Sequence, residues 1–407
     1  MSFNKSKTEK LGNIAYVQTG PFGSQLHKSD YIESGTPIIT VEHLGKRRVS
    51  RDSMPYVSEN DRLRLNKYSL KNGDLVFSRV GSVDRCSYIS EEEDGWLFSG
   101  RCLRVRANIN KLYPQYLYYY FCLESMKEYI RSIAVGATMP SINTKILCDV
   151  DLTIPSVSEQ KKIAETLSCL DDKIELNNRI NKTLEEMAQA IFKSWFVDFE
   201  PFQDGEFEDS ELGKIPKGWR VGALSDIADI TMGQSPKGSS YNENADGKVF
   251  YQGRTDFGNR YPMVRLYTTE PKRLADKGDV LLSVRAPVGD INVAGEDCCI
   301  GRGLASLKSK TNCSSYLLYQ LLNLKDNFNI YNGEGTVFGS INKDTLNNMQ
   351  VLIPSEKDIQ EFQYRVGKID DVIESNSLQI KILTAIRDTL LPKLMSGEIR
   401  VPIEEVQ

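Results

Sequence analysis

The sequence predicts an α+β fold with two similar, β-rich mixed domains separated by two long, antiparallel helices that resemble a coiled coil. Three observations lead to this fold class. The chain has 407 residues, which is too long for a typical single hydrophobic core. Its two halves share an internal repeat, and each half ends in a long segment whose apolar residues recur every three or four positions.

The internal repeat aligns residues 136–172 with residues 335–371 without a gap. Several short motifs recur in the two halves: Ser-Ile-Asn at 141–143 and 340–342, Ile-Pro-Ser at 154–156 and 353–355, Asp-Asp at 171–172 and 370–371, Gly-Asp at 73–74 and 278–279, and Gly-Arg at 100–101 and 301–302. Self-similarity at so long a period indicates duplication of one unit, a mixed domain followed by a helix. The predicted fold is therefore a pseudo-two-fold internal repeat.

The repeat and the local composition divide the chain into five segments. Short apolar runs interrupted by Gly, Asn and Asp predict strands and turns in the mixed domains, and an acidic polar stretch between the halves predicts a linker. The predicted segments are a first domain at 1–155, a central helix at 156–200, a linker at 201–213, a second domain at 214–354 and a C-terminal helix at 355–400.

The two helical segments have the pattern of a packing seam. The first runs from about residue 159 to residue 195 without Pro or Gly. Apolar residues in the two helices occupy equivalent positions: Ile163, Leu167, Leu170 and Ile174 in the first, and Phe362, Val366, Ile369 and Ile373 in the second. This spacing favours packing of the helices on each other. Asn177, Asn181 and Asn376 interrupt the seam, either as buried residues that fix its register or as residues on its exposed side.

Charge is distributed unevenly although the net charge is only −4. Residues 1–154 hold 21 Lys+Arg and 17 Asp+Glu, and residues 212–353 hold 17 and 14, so both predicted domains are basic. The segments between and after them are acidic. Two basic modules joined by acidic connectors favour a DNA-binding protein with two contact regions.

Several protein classes are excluded by composition. No stretch approaches the roughly 20 apolar residues that span a bilayer, and the polar start of the chain predicts no signal peptide, so a cytoplasmic location is expected. The eight cysteines form no Cys-x-x-Cys pair and there are only two histidines, which predicts reduced thiols and no metal site.

At this level of detail the chain resembles the specificity subunits of type I restriction–modification systems. The matching segments are GDLVFSRVGSVDRCSYI, SGRCLRVRA, YQGRTDFGNRYP, GDVLLSVRAPVGDINVA and IPSVSEQKKIAETLSCLDDKIELNNRIN. The resemblance covers essentially the whole chain. It implies that each mixed domain is a target-recognition domain for one half of an asymmetric, bipartite DNA site, and that the helices set the spacer between the halves.

The same resemblance implies partners and assigns the chemistry to them. The expected partners are double-stranded DNA, two methyltransferase (modification) subunits and restriction (motor–nuclease) subunits, with no membrane. S-adenosylmethionine, ATP and magnesium are expected in those subunits, and no cofactor is expected in this chain. The residues agree: no proline follows Asn or Asp, and no Gly-Lys is followed by Ser or Thr, so neither an amino-methyltransferase motif nor a nucleotide-binding P-loop is present. No catalytic residue is predicted, and the Asp171–Asp172 pair is interpreted as solvated helix charges.

Candidate DNA contacts are Lys, Arg, Gln and small hydroxyl residues in turn-rich segments, because such groups bind phosphates and base edges. In the first domain they are Ser24, Gln25, Lys46, Arg47, Arg48, Arg51, Arg79, Arg85 and Arg101. In the second domain they are Lys237, Gln252, Arg254, Thr255, Arg260, Arg285 and Arg302.

Two further questions stay open at this point. The aromatic segment at 190–202, with Trp195 and Phe196, is either a core plug where the helix meets the next domain or a docking patch for a methyltransferase subunit. The alternative to DNA recognition is a non-catalytic protein-interaction adaptor with two β-rich modules on a coiled-coil frame.

Overall fold

A computed structural model describes residues 6–332 and 339–402 of the chain. The chain divides into two compact units. Unit 1 comprises residues 1–176 and 379–407, and unit 2 comprises residues 177–378. Each unit therefore contains one mixed domain together with part of both long helices.

Unit 1 contains small sheets and short helices in front of the first long helix. Its strands are β1 (Lys7–Lys10), β2 (Ala15–Thr19), β3 (Thr36–Ile39), β4 (Tyr56–Val57), β5 (Leu75–Ser78), β6 (Cys86–Tyr88), β7 (Leu97–Phe98), β8 (Cys102–Ala107) and β9 (Asp151–Ile154). Its helices are α1 (Leu11–Ile14), α2 (Glu59–Arg64), α3 (Pro114–Cys122), α4 (Glu124–Ile133), α5 (Thr144–Cys148) and the start of α6 (Val157–Phe196).

Unit 2 repeats this order of elements. Its strands are β10 (Phe207–Ser210), β11 (Gly213–Pro216), β12 (Arg220–Ala223), β13 (Ala228–Met232), β14 (Tyr241–Asn242), β15 (Lys248–Tyr251), β16 (Leu266–Thr268), β17 (Leu274–Ala275), β18 (Val280–Ser283), β19 (Ile291–Val293), β20 (Cys298–Ile300), β21 (Leu304–Ser309) and β22 (Gln350–Ile353). Its helices are α7 (Leu224–Ile227), α8 (Ser314–Asn323), α9 (Lys325–Asn329), α10 (Lys343–Asn347) and the first part of α11 (Glu356–Ser396).

The main sheets of the two units correspond strand by strand, whereas the second sheet has three strands in unit 1 and five in unit 2. Unit 1 has an antiparallel sheet in the order β2-β8-β5-β6, and unit 2 has the order β13-β21-β18-β19. A second sheet in each unit contains one parallel pair, β3 with β7 and β15 with β20. A two-stranded sheet joins the start of each domain to the strand before its long helix, β1 with β9 and β12 with β22.

The repeated Gly-Asp motif forms the same turn in both units. Gly73 and Gly278 have φ angles of +91° and +90°, a region that favours glycine because it has no Cβ. The following aspartates close the turn: the Lys71 amide donates to Asp74 at 2.8 Å, and the Asp276 amide donates to Asp279 at 3.0 Å. The motif therefore marks the entry to β5 and to β18.

The repeated Ser-Ile-Asn motif has a distinct task for each residue. The isoleucines are buried in the two main cores. The asparagine side chains cap short helices, since Asn143 accepts from the Ile146 amide at 2.9 Å and Asn342 accepts from the Thr345 amide at 2.8 Å. The motif closes each mixed domain just before its long helix.

The long helices run antiparallel within unit 2. Asn181 of α6 and Asn376 of α11 are joined by a hydrogen bond of 2.9 Å, while Phe192 of α6 packs on Phe362 of α11 with ring centroids 5.8 Å apart. The Asn181 amide also donates to Ser377 at 3.2 Å. Asn181 and Asn376 thus lie in the helix seam, and Asn177 is buried. The buried alternative applies to Asn177, while Asn181 and Asn376 are half-buried and hydrogen-bonded to each other.

Two local expectations differ from the structure. Part of the segment predicted as a linker forms the hairpin β10–β11, and Ile215 of that hairpin is buried in the core of unit 2. Asp171 is not a solvated helix charge, because it is only 5% exposed and accepts from the Tyr119 hydroxyl and from Arg387, each at 2.7 Å. Neither contact follows from the local sequence.

Candidate nucleic-acid interface

One edge of the main sheet in unit 1 collects several connections. Thr19 at the end of β2 lies opposite Leu103 near the start of β8, and Ser78 at the end of β5 lies opposite Cys102. The connections that follow β2 and β5 and the one that precedes β8 therefore meet. A hydrogen bond of 2.8 Å from the Arg79 amide to the Arg101 carbonyl joins two of them.

The second sheet of unit 1 adds another connection to the same edge. Because β3 and β7 are parallel, both end on the side where β8 begins, and the Ser99 amide donates to the Ile39 carbonyl at 2.8 Å. Gly45 in the connection after β3 lies against Arg85, since a Cβ added to Gly45 would be 3.2 Å from the Arg85 Cδ. We call the connections 20–26, 40–51, 79–85 and 99–101 the first loop edge.

Unit 2 builds an equivalent edge from the equivalent connections. The Gly301 amide donates to the Tyr251 carbonyl at 2.8 Å, and the Arg302 amide donates to the Ser235 hydroxyl at 3.2 Å. Arg254 forms an ion pair of 2.5 Å with Asp290. We call the connections 233–240, 252–265, 284–290 and 301–303 the second loop edge.

The Gly-Arg motif requires its glycine for the same reason in both loop edges. A Cβ on Gly100 would lie 2.5 Å from the Pro21 carbonyl oxygen, and a Cβ on Gly301 would lie 2.8 Å from the Gln252 carbonyl oxygen. Only glycine permits these close approaches. Each glycine thus brings two connections together and leaves the next residue, Arg101 or Arg302, exposed.

Most of the sequence-predicted contact residues lie on the two loop edges with exposed side chains. The exposed residues are Lys46, Arg51, Arg85, Arg101, Lys237, Gln252, Arg254, Thr255, Arg285 and Arg302. The lysines and arginines among them that form no ion pair with any described residue are Lys46, Arg85, Arg101, Lys237, Arg285 and Arg302. These cations, together with the exposed Gln252 and Thr255, are available to a phosphate or a base.

Other predicted residues on the first edge are engaged within the protein. Arg79 donates to the Gly100 carbonyl at 3.3 Å, and Gln25 accepts from the Tyr68 hydroxyl at 2.5 Å. Arg51 pairs with Glu92 and Glu93 at 2.5 and 3.2 Å. The side chain of Ser24 lies outside the part of the chain that the structure describes.

Three predicted arginines are directed away from the loop edges. Arg47 is 8% exposed and pairs with Asp172 and Glu175 of α6 at 2.7 and 3.3 Å. Arg48 pairs with Glu175 at 3.0 Å. Arg260 is 11% exposed and pairs with carboxylates on α6 and α11. Buried, paired guanidinium groups are poor DNA contacts, so a structural role replaces the predicted one for Arg47 and Arg260. The side chain of Arg48 is 40% exposed, and its predicted DNA contact stays a prediction.

Sequence reasoning did not select two apolar side chains in this part of unit 1. Phe22 is 63% exposed and Met139 is 64% exposed. Phe22 belongs to the first loop edge, and the connection that contains Met139 joins this edge through a 2.8 Å bond from the Gly81 amide to the Pro140 carbonyl. Exposed apolar side chains among arginines suit contact with bases. The sequence could have indicated Phe22, because it lies in the same glycine-rich loop as the predicted contacts Ser24 and Gln25.

The aromatic segment at the end of α6 is part of the core of unit 2. Phe196 is 5% exposed and packs on Trp219, Tyr316 and Phe362, with centroid distances between 5.1 and 5.7 Å. Trp195 is partly buried in the same cluster. The core-plug alternative therefore applies to Phe196, whose predicted docking role is replaced by a packing role. The docking role predicted for the partly buried Trp195 stays a prediction.

The described residues contain no cluster of metal ligands. Within residues 6–332 and 339–402, no group of three or more His, Cys, Asp or Glu residues could hold a metal ion. Burial raises the pKa of the Cys102 and Cys298 thiols to about 12 each, which keeps both protonated near neutral pH. The exposed basic side chains of the loop edges are therefore the candidate binding groups in this part of the chain.

A family model described as "Type I restriction modification DNA specificity domain" matches residues 4–186 and 216–386. The two matches cover both units and most of the chain. The chain belongs to this family. Its members are DNA-specificity components, and the fold class predicted from the sequence is confirmed for this specificity protein.

Curated relatives extend over nearly the whole specificity protein. It is 34% identical over 377 residues to the putative type I restriction enzyme MjaX specificity subunit of Methanocaldococcus jannaschii, covering 90% of this chain and 88% of that protein. It is 28% identical to the type I restriction enzyme HindI specificity subunit of Haemophilus influenzae, covering 82% and 88%. Both relatives are named as specificity subunits, and neither as a methyltransferase or nuclease.

A solved structure has the same fold. The S subunit of a type I restriction–modification system from M. genitalium superposes with a TM-score of 0.62 at 16% identity, over 96% of each chain. At that identity the likeness concerns the fold alone. Across the described part of the specificity protein, each helix is too short or too polar to cross a membrane.

Proposed function

We propose that this chain is the DNA-recognition subunit of a type I restriction–modification complex and that it binds one duplex at a bipartite, asymmetric site. The observation that carries the proposal is the equivalence of the two loop edges. Equivalent connections in the two units present exposed arginines, Arg85 with Arg285 and Arg101 with Arg302, and each edge also presents an exposed lysine. Arginine pairs with guanine and glutamine with adenine in the major groove, while phosphates accept from both cations.

The difference between the two edges supports an asymmetric site. The first edge presents Phe22 and Lys46, whereas the equivalent connections of the second edge present Lys237 and Gln252. Identical surfaces would read identical half-sites. Unlike side chains on equivalent connections suit two unlike half-sites, because each donor and apolar group favours a different base edge.

The long helices suit the role of spacer. Helix α6 has 40 residues and α11 has 41. At 1.5 Å per residue each is about 60 Å long, which exceeds the roughly 34–36 Å of one DNA turn. We infer that the helices set the number of unread base pairs between the half-sites.

The partners proposed for this chain are two methyltransferase subunits, joined by restriction subunits in the full enzyme. Apolar side chains on the long helices are exposed in both units: Leu176, Ile382 and Ile386 in unit 1, and Ile180, Met187 and Leu378 in unit 2. Exposed apolar side chains mark a protein contact where they form a contiguous patch, which we propose for these helices. We assign each unit's helices to one methyltransferase subunit, in place of the buried Phe196.

The chemistry belongs to those partners. Methyl transfer would use S-adenosylmethionine in the methyltransferase subunits, and ATP-driven cleavage with magnesium would occur in the restriction subunits. This chain would recognise the DNA sequence at which those subunits act. We expect the complex to act in the cytoplasm, where it meets both chromosomal and incoming DNA.

Methylation mapping tests the proposed function. The chain is expressed together with its methyltransferase subunit in cells that lack other DNA methylation, and modified bases are located across the genome. We expect one bipartite motif with a fixed spacer, and no such motif when this chain is omitted.

The protein-adaptor alternative makes the opposite prediction. An adaptor would copurify with its partners but would leave methylation unchanged and would protect no DNA sequence in a footprint. A bipartite footprint from the assembled complex rejects the adaptor.

A further inference from the structure

Each unit contains a buried arginine in the connection that follows the parallel strand of its second sheet. In unit 1 this is Arg47, after β3, and in unit 2 it is Arg260, after β15. Their side chains are 8% and 11% exposed. Both connections also belong to a loop edge, so each arginine lies a short distance along the chain from exposed side chains such as Lys46 and Arg254.

The main chain holds the two arginines in the same way. The Arg47 carbonyl accepts from the Tyr88 amide at 2.9 Å, and the Arg260 carbonyl accepts from the Val293 amide at 2.9 Å. Tyr88 and Val293 are the last residues of β6 and β19, which are equivalent strands of the main sheets. The arginines therefore occupy equivalent places, although the sequences around them differ.

Arg260 connects the second loop edge to both long helices. Its Nη1 donates to the two carboxylate oxygens of Glu185 on α6 at 2.9 and 2.7 Å, and its Nη2 donates to Asp370 on α11 at 2.6 Å. The Tyr319 hydroxyl lies 3.1 Å from the same Nη1. One planar group thus fixes three elements, and its fork permits few other orientations.

In unit 1, two arginines together make the links among the mixed domain, α6 and α11 that Arg260 makes alone in unit 2. Arg47 reaches α6 through Asp172 and Glu175. Arg387 of α11 donates to Asp171 of α6 at 2.7 Å, and the Tyr119 hydroxyl donates to the other oxygen of that aspartate at 2.7 Å. The buried aspartate with its tyrosine corresponds to Asp370 and Tyr319 in unit 2.

The electrostatics keep both arginines charged. Burial opposes the charge of Arg260, but Asp370, Tyr319 and Glu185 outweigh it and raise the pKa of Arg260. The pKa of Arg47 is raised likewise, against its burial, by Tyr119, Glu175 and Asp172. A buried ion pair contributes little net stability compared with apolar packing, and its best-supported use is to select one geometry.

We propose that Arg260 and Arg47 are positioning residues that fix the orientation of each loop edge on its helices and so make DNA binding sensitive to the spacer between half-sites. The inference rests on the proposed function, because it requires two half-sites on one duplex. In the connection 252–265 the exposed Gln252, Arg254 and Thr255 precede Arg260, and a second anchor pairs Gly258 with Asn292 at 3.0 Å. Rotation of this edge on the helices would break the arginine contacts.

The test compares spacer lengths in the assembled complex of the full chain with its methyltransferase subunit. Binding is measured on duplexes that carry the mapped site with its natural spacer, or with one base pair added or removed. We expect the wild type to prefer the natural spacer strongly. Arg260→Met should reduce that preference by about tenfold, the scale of one charge-assisted contact.

Two further variants make the result decisive. Arg260→Lys retains the charge between Glu185 and Asp370, so it should fold, but it lacks the fork and should also reduce the preference. Lys277→Met is the matched control, because it breaks an ion pair of 2.7 Å between the same domain and α11 whose two side chains are 59% and 48% exposed. We expect this control to keep the wild-type preference.

The outcomes separate positioning from simple stabilisation. Folded Arg260→Lys or Arg260→Met with the wild-type preference overturns the proposal, and so does an equal loss of affinity for every spacer. A wild-type complex that fails to distinguish its mapped site from random DNA overturns the proposed function itself, and the role of the arginines with it.

Discussion

At the residue scale, the neighbours Lys46 and Arg47 illustrate how one basic cluster divides between two roles. Lys46 is exposed on the first loop edge, and Arg47 is buried against α6. We predict that Lys46→Gln weakens binding to all DNA sequences and lowers the slope of log affinity against log salt by about one, because one phosphate contact is lost. Its thermal stability should not change.

Arg47→Gln should lower the stability of the protein and leave the salt slope of DNA binding unchanged. It leaves Asp172 without its arginine partner, while Glu175 keeps Arg48, and we expect a loss of about 1–3 kcal/mol in the free energy of unfolding, limited by the solvent access of Asp172. Denaturant unfolding and a salt titration of binding measure both effects. An unchanged salt slope for Lys46→Gln would remove Lys46 from the DNA surface.

The sequence could not separate these two residues. Both are cations in one turn-rich segment, and the carboxylates that bind Arg47 lie more than 120 residues farther along the chain. Residue type and local spacing predict a basic cluster, but burial depends on contacts that only the fold brings together. The same reason applies to Arg260, whose partners lie on two different helices.

At the element scale, a repeat is visible in the sequence where its residues cap a helix or pack in a core close to their own position in the chain. Ser-Ile-Asn recurs because Asn143 and Asn342 must cap helices and the isoleucines must fill cores. The connections that contain Arg47 and Arg260 differ in length and composition, so their equivalence is visible only in strand pairing. The helices were predictable because their apolar spacing is maintained over several turns.

The end of α6 provides a second prediction. Phe196→Ala removes a ring that is 5% exposed, and we expect unit 2 to lose about 3–5 kcal/mol of unfolding free energy. Met187→Ala on the same helix is the matched control, since Met187 is 50% exposed and should change stability by less than about 0.5 kcal/mol. Chemical denaturation measures both. A stable Phe196→Ala protein that loses its methyltransferase subunit would restore the docking role.

The asparagine pair in the helix seam gives a third prediction. Asn376→Leu deprives the Asn181 side-chain oxygen of its donor and should cost about 1 kcal/mol, whereas the double change of Asn181 and Asn376 to Leu should be neutral or stabilising. A double-mutant cycle on denaturant unfolding measures this coupling. Additive effects of the two single changes would mean that the pair does not act as a unit.

At the scale of the whole molecule, a net charge of −4 is compatible with DNA binding because the charges are placed unequally. Acidic side chains of the long helices, including Asp172, Glu185 and Asp370, are paired with arginines of their own unit. Exposed cations that form no ion pair with a described residue lie on both loop edges, among them Lys46, Arg85, Arg285 and Arg302. Local potential at the contact surface, and not total charge, determines attraction to phosphates.

The separation of the two loop edges into two units predicts independent reading of the half-sites. Arg285→Ala with Arg302→Ala alters only the second edge, and Arg85→Ala with Arg101→Ala alters only the first. A lost base contact costs about 1–3 kcal/mol at one position and leaves distant positions unaffected. Methylation mapping of each double variant should therefore show one relaxed half of the motif, a different half in each case, and an unchanged spacer.

The control for this experiment is Lys308→Ala, a basic residue near the opposite end of β21 from Arg302, which should leave the motif intact. Simultaneous relaxation of both halves by either double variant would contradict independent reading, because it would require the two edges to contact the same base pairs. Relaxation of one half identifies which unit reads it, and thus orients the chain on its DNA site.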